Sequence, residues 1–145
     1  MPLPFHVAVP VRDLAAARAF YGGLLALPEG RVDPGTPCRW VDYDMFGHQF
    51  VIHAVPGGGP AGGENPVDGD AVPVPHCGAI LEPAAWQALA DRLTAAGAAF
   101  VIAPRVRFAG TPGEQRTLFL RDPSGNALEF KAFADVDAQL FAKNA

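Results

Sequence analysis

The order strand, helix, hairpin occurs twice along this chain, and such an internal repeat constrains the fold more than any single motif does. The first copy opens with Phe5-His6-Val7-Ala8-Val9-Pro10, a short segment rich in strand-favouring residues. Asp13 follows as an N-cap for a helix that puts Leu14, Ala17, Phe20, Tyr21 and Leu24 on one face, and Gly22-Gly23 marks where it frays. Residues 39–45 and 49–55 read as two strands joined at Phe46-Gly47-His48, with a weaker strand within 26–32. The second copy runs in the same order. Residues 76–81 are a strand, and Pro83 starts a helix with Trp86, Leu89, Ala90 and Leu93 at helical spacing and Gly97 at its end. Residues 100–108 form a strand, and 117–121 with 126–131 form a hairpin around Asp122-Pro123-Ser124-Gly125. Each copy is βαβββ. The predicted class is therefore α+β, with the paired modules curving a mixed sheet into a partly closed cup and the helices outside.

A length of 145 residues suits one domain, and 50% hydrophobic against 18% charged residues is enough to build a core. Within a single domain of residues 1–145, module one takes 5–55, module two 76–133 and a C-terminal tail 134–145. Between the modules, PGGGPAGGENPVDGDAVPVP at 56–75 reads as a linker without regular structure. The net charge of -4, with no run of Lys or Arg, excludes a nucleic-acid groove and an anionic-membrane patch. No apolar stretch is long enough to span a membrane, and the first residues lack the pattern of a signal peptide, so a cytoplasmic location is expected. Cys38 and Cys77 stand apart as reduced thiols.

Strand alternation then sorts the polar residues. Phe5, Val7 and Val9 face the helix, which leaves His6 and Ala8 on the other side; Phe50, Ile52 and Ala54 leave His53 there. Cys77, Ala79 and Leu81 oppose His76 and Gly78, and Leu128 and Phe130 oppose Glu129. His6, His53, His76 and Glu129 thus point into the expected cup from repeat-equivalent positions, His53 matching Glu129, while Ala8, Gly78 and Ala127 leave room beside them. Imidazoles with one carboxylate suit Fe(II), Mn(II), Zn(II), Ni(II) or Co(II). His48 falls at a turn and is expected to be solvated. Trp40, Tyr43, Phe108 and Phe119 are either core or pocket lining, and Arg107 and Arg116 read as solvated surface charges that could otherwise pair with a substrate carboxylate.

The segments FHVAVPVRDLAAARAFYGGLL, VPHCGAILEPAAWQALADRLTAAG and TLFLRDPSGNALEFKAF resemble the vicinal oxygen chelate superfamily, over roughly residues 5–133. That superfamily includes glyoxalase I, extradiol dioxygenases, fosfomycin-resistance proteins, methylmalonyl-CoA epimerase and bleomycin-binding proteins. The resemblance implies that His6, His76 and Glu129 are metal ligands, and that His53, where glyoxalase I has a glutamate, is a further ligand or an acid–base group. It also implies a homodimer and a small-molecule substrate with adjacent oxygens. Two histidines and a carboxylate lead to extradiol-like ring cleavage with Fe(II) favoured. The alternatives are a glyoxalase-like lyase, isomerase or transferase, or a bleomycin-resistance-type protein that binds without catalysis.

Overall fold

A computed structural model describes residues 2–143; Met1, Asn144 and Ala145, at the ends of the expected domain span, lie outside the described residues. The described residues form two compact units, one of those up to 61 with 122–126, the other of 62–121 with those from 127 onward.

The first unit holds β1 (His6–Val11), β2 (Glu29–Val32), β3 (Trp40–Met45) and β4 (His48–Ala54) in the sheet order β1-β4-β3-β2. β1 runs parallel to β4 and the other pairs are antiparallel. A two-residue turn, Phe46-Gly47 with φ of 52° and 90°, joins β3 to β4, so His48 begins a strand. The helix α1 (Leu14–Arg18) starts where the sequence places it, with Asp13 Oδ1 accepting the Ala16 N–H at 3.0 Å.

Instead of fraying at Gly22-Gly23, the helix continues as π-helical turns over Ala19–Leu24, and the Leu25 N–H reaches the Phe20 carbonyl at 2.9 Å. The widened turn carries Leu25, in place of Leu24, to the buried face with Ala17 and Tyr21. The Tyr21 ring packs against Phe50 at 4.9 Å, and its hydroxyl donates to Asp122 Oδ2 at 2.8 Å. Asp122 also accepts from the backbone N–H groups of Ser124 and Asn126 and from Asn126 Nδ2. The Asp-Pro-Ser-Gly-Asn turn therefore supplies a buried polar anchor to this unit. Phe5 does not join the apolar face: it precedes β1, is 68% exposed, and its N–H donates to His48 Nδ1 at 2.8 Å.

The second unit holds β5 (Gly63–Val67), β6 (Asp70–Val74), β7 (His76–Leu81), α2 (Pro83–Ala95), β8 (Phe100–Arg107), β9 (Gln115–Arg121), β10 (Ala127–Ala132) and α3 (Val136–Gln139). Its sheet order β7-β10-β9-β8, with β7 parallel to β10, repeats the first sheet. On α2, Trp86, Leu89, Ala90 and Leu93 are buried as their spacing predicts, and Trp86 Nε1 donates to the Phe130 carbonyl at 2.8 Å. Two four-stranded sheets with matching order make the paired βαβββ architecture explicit.

The stretch 56–75 is not irregular throughout: β5 and β6 pair as an antiparallel hairpin. Its turn is Asp68-Gly69, with φ of 44° and 84°, the backbone that Asp-Gly favours in tight hairpins. In a two-stranded ribbon each strand keeps an open edge, so Pro66 and Pro73 are accommodated. Val72 packs with Ile102 and Phe119, and Val67 lies against them. Phe119 pairs in register with Glu129, so the hairpin lies over the sheet face that carries Glu129.

Candidate metal centre

β7 and β10 set the geometry here, with His76 opposite Ala127 and Gly78 opposite Glu129. Gly78 is required: a Cβ there would overlap the Glu129 carbonyl. The Glu129 carboxylate is 6% exposed and its two oxygens have different neighbours. Oε2 accepts from Thr117 Oγ1 at 2.6 Å and from Arg107 Nη1 at 3.3 Å. Oε1 faces His76 Nε2 at 3.5 Å and Lys131 Nζ at 3.3 Å. Burial alone would raise the Glu129 pKa, but hydrogen bonds from His76 and Thr117, with the charges of Lys131 and His76, hold it down at about 2.

His76 Nδ1 lies 2.6 Å from the Pro73 carbonyl. A carbonyl can only accept, so Nδ1 carries a proton and the neutral ring presents the Nε2 lone pair to a carboxylate oxygen. Two acceptors facing each other need a proton or a cation between them. In the metal-free protein the proton fills that role, and the hydrogen bond to Glu129, working against burial, raises the His76 pKa. The spacing also suits a metal: donors about 2.1 Å from one ion at angles of 90–110° stand roughly 3.0–3.4 Å apart, close to the 3.5 Å found. Both ligand candidates are already held from behind, as ligating side chains usually are. A cavity of about 190 Å³ opens beside them, lined also by Gly78, Ile80 and Lys131.

In the first unit His6 is prepared in the same way. Its Nδ1 lies 2.8 Å from Gln49 Oε1, and Gln49 Nε2 donates to Asp42 Oδ2 at 2.9 Å. The carboxylate can only accept, which fixes the amide orientation and therefore the proton on His6 Nδ1. His6 is left with Nε2 as its basic nitrogen, as His76 is. His48 has the opposite tautomer, because its Nδ1 accepts from the Phe5 N–H. His53 shares a sheet face with His6 but pairs with Pro10, whereas His6 pairs with Gln49. The two histidines are thus about 13 Å apart along the strands at roughly 3.3 Å per residue. Register also shows that Val51, opposite Ala8, occupies the place that Glu129 has opposite Gly78. The expected equivalence of His53 and Glu129 is therefore displaced by two residues. Among the described residues, no three His, Cys, Asp or Glu side chains converge as a metal-binding group.

Arg107 differs most from expectation. It is 3% exposed, its Nη2 lies 3.4 Å from Asp70 Oδ2, and its guanidinium sits 5.8 Å from the Phe119 ring centre. Arg116 stays exposed, with its guanidinium 5.9 Å from the Trp86 ring centre. Tyr43 and Phe119 are core residues, although the Phe119 ring also meets the His76 ring edge-on at 5.0 Å. Sequence reasoning missed Thr117, Gln49 and Asp42, whose roles depend on which strand lies beside which. Lys131 was within reach of alternation, two residues beyond Glu129 on the same face.

Two βαβββ units of the same strand order, with His6 on the first strand of one and His76 beside Glu129 in the other, define a protein of the vicinal oxygen chelate class. The chain belongs to the Glyoxalase/Bleomycin resistance protein/Dioxygenase superfamily, whose family model matches residues 4–130. It is similar to the crystal structure of a glyoxalase/bleomycin resistance protein/dioxygenase from Alicyclobacillus acidocaldarius, with 31% identity, 93% of this chain and 94% of that one covered, and a TM-score of 0.74. The fold also matches the fosfomycin resistance protein FosX from Listeria monocytogenes, at 16% identity, 92% and 94% coverage and a TM-score of 0.60. Lactoylglutathione lyase from Agrobacterium tumefaciens matches at 20% identity, 90% and 92% coverage and a TM-score of 0.59. No curated protein matches the chain.

Proposed function

We propose that this chain is a metal-dependent enzyme acting on a small substrate that presents two adjacent oxygens, with His76, Glu129 and His6 as the ligands of one divalent ion. The observation that carries this reading is the Nε2 of His76 aimed at Glu129 Oε1 while Nδ1 is committed to Pro73. His6, whose ring Gln49 fixes in the same tautomer, enters as third ligand on its match to the superfamily's recurrent ligand positions. When bound, the ion would orient the two substrate oxygens and stabilise negative charge developing on one of them. Thr117 and Arg107 hold Oε2, so Oε1, which faces His76 and Lys131, is the oxygen that would ligate; the ion would then take the place of Lys131 on Oε1 and leave that ammonium at the cavity edge for the substrate. His53, four register positions from His6, is taken as an acid–base group outside the ligand set.

Within this reading, oxygen-independent lyase, isomerase or transferase chemistry is favoured. A cavity bordered by Lys131, with Arg107 behind Glu129, suits a substrate carrying its own negative charge better than a catechol. Extradiol cleavage with Fe(II) is the second reading, supported by the two-histidine, one-carboxylate donor set. A homodimer in the cytoplasm fits either.

The experiment is metal analysis of protein purified without chelator, followed by turnover assays with and without oxygen. Bound Mn(II), Ni(II), Zn(II) or Co(II), with turnover of an epoxide, hemithioacetal or hydroxy-carbonyl compound under nitrogen, supports the first reading. Oxygen uptake matched to ring opening of a catechol by Fe(II)-loaded protein selects the second. Tight ligand binding with neither metal nor turnover contradicts both, and points to a binding protein.

A further inference from the structure

Two arginines of this chain meet carboxylates in different ways, and the contrast exposes a donor pair of which only one member has a partner. Arg18 grips Glu29 with its side fork, Nε at 2.8 Å from one oxygen and Nη2 at 2.9 Å from the other. That two-point geometry is what a guanidinium offers any planar or tetrahedral oxyanion. On Arg107 the same fork is only loosely engaged: Nη2 is 3.4 Å from a single oxygen of Asp70, and Nε is buried with no hydrogen-bond partner. Burying a guanidinium with a donor unsatisfied is costly, so a group absent from the protein's own partner set fits the site.

Asp70 cannot close the gap where it stands. The oxygen it offers, Oδ2, lies closer to Arg105 Nη1, at 3.0 Å, and Asp68 on the same hairpin is fixed by Arg105 Nη2 and the Phe108 N–H. The sheet face beneath carries Arg105, Arg107 and Lys131 against Glu129, so it is cationic apart from these two hairpin carboxylates. Gln115 pairs with Arg107 in register and has a buried Oε1 without a partner. The two residues that carry these unpartnered atoms are thus cross-strand neighbours, with Cβ atoms at the roughly 5 Å spacing of such pairs.

We infer that the Nε–Nη2 fork of Arg107 is an oxyanion-binding site, occupied imperfectly by Asp70 here, whose ligand is a small molecule with an oxyanion that bears or adjoins a hydroxyl group. The oxyanion displaces the Asp70 carboxylate from Arg107 and takes both fork donors, and its hydroxyl donates to Gln115 Oε1. This names a substrate class for the proposed enzyme and rests on that reading only in taking the ligand to be substrate. Anion binding is measurable without metal, so the two fail separately.

The test is calorimetric titration of the full chain in the presence of EDTA with inorganic phosphate and with glycolate, at ionic strength held constant with chloride. Wild type, D70N, R107K and D70N/R107K are compared. D70N is expected to bind at least one of the two anions about tenfold or more tighter than wild type, and R107K to remove that gain, because a lysine keeps the charge and loses the fork. Preference for phosphate or for glycolate identifies which oxyanion the fork takes. A D70N protein that binds neither anion more tightly than wild type overturns the proposal, as does a gain that survives R107K. Asp70 also pairs with Arg105, so D70N/R105K is measured too: it is expected to keep the gain, and a gain that R105K removes overturns the proposal even if the Arg107 variants fail to fold.

Discussion

Glu129 and His76 titrate in opposite directions, and the metal-free protein should therefore show a stability optimum between their two transitions. A carboxyl held at about 2 in the folded chain against 4.5 ordinarily is stabilising once ionised. That stability is present above the unfolded value and disappears as pH falls toward the folded one. At about 1.4 kcal/mol per pH unit, the difference amounts to about 3 kcal/mol, lost between roughly pH 5 and pH 2. Glu129 is nearly fully buried, so solvent screening does little to reduce the figure. The folded His76 pKa is raised above 6.5, so its contribution is complete below that value and is lost as pH rises through the folded pKa. Urea unfolding in EDTA at half-unit pH steps gives the profile, with E129Q as the reference that cannot ionise. Other carboxyls titrate in both proteins, so the wild-type minus E129Q difference isolates Glu129. That difference should shrink by about 3 kcal/mol from pH 5 to pH 2. Parallel curves across that range would refute the claim that Glu129 is ionised and held by its partners.

Y21F removes the hydroxyl that donates to Asp122 inside the first unit and should cost about 1.5–3 kcal/mol in urea unfolding, as expected for a buried bond to a charged acceptor. G78A forces a methyl group into the Glu129 carbonyl and should destabilise by at least about 3 kcal/mol, with hydrogen exchange on β7 and β10 speeding first. Q49L frees the His6 ring and should weaken divalent-metal affinity about 10- to 100-fold with circular dichroism unchanged.

Elements set by local chemistry were legible in the sequence: the Asp13 cap, the Pro83 start of α2, the buried stripe of Trp86, Leu89 and Leu93, and the alternation along β7, whereas β4 and β10 are buried on both faces over most of their length. The β5–β6 hairpin was hidden by its composition, because Gly and Pro signal breaks more loudly than Asp68-Gly69 signals a turn. Partnering across strands was less legible. Arg107 looks like a surface cation until Asp70 and Glu129 are known to face it, and neither is near it in sequence. The equivalence of His53 with Glu129 failed for a related reason. Alternation gives the face of a strand, but only register gives the position along it, and unequal loops conceal the register. The π-helical turn that brings Leu25 inward also leaves no periodic trace, since it shifts the period it would be read from.

The central claim is that His76 and Glu129, with His6, hold one divalent ion. Chelator-stripped protein should be titrated with Mn(II) and Ni(II) by calorimetry at pH 7.5 and pH 6, alongside H6A, H76A, E129A and H53A. The predicted result is one ion per chain, with affinity falling at the lower pH because the ion must displace the proton between His76 and Glu129. H76A and E129A should each lose about 100-fold or more, H6A should also bind weakly, and H53A should bind as wild type. Affinity unchanged in H76A and E129A would contradict the account.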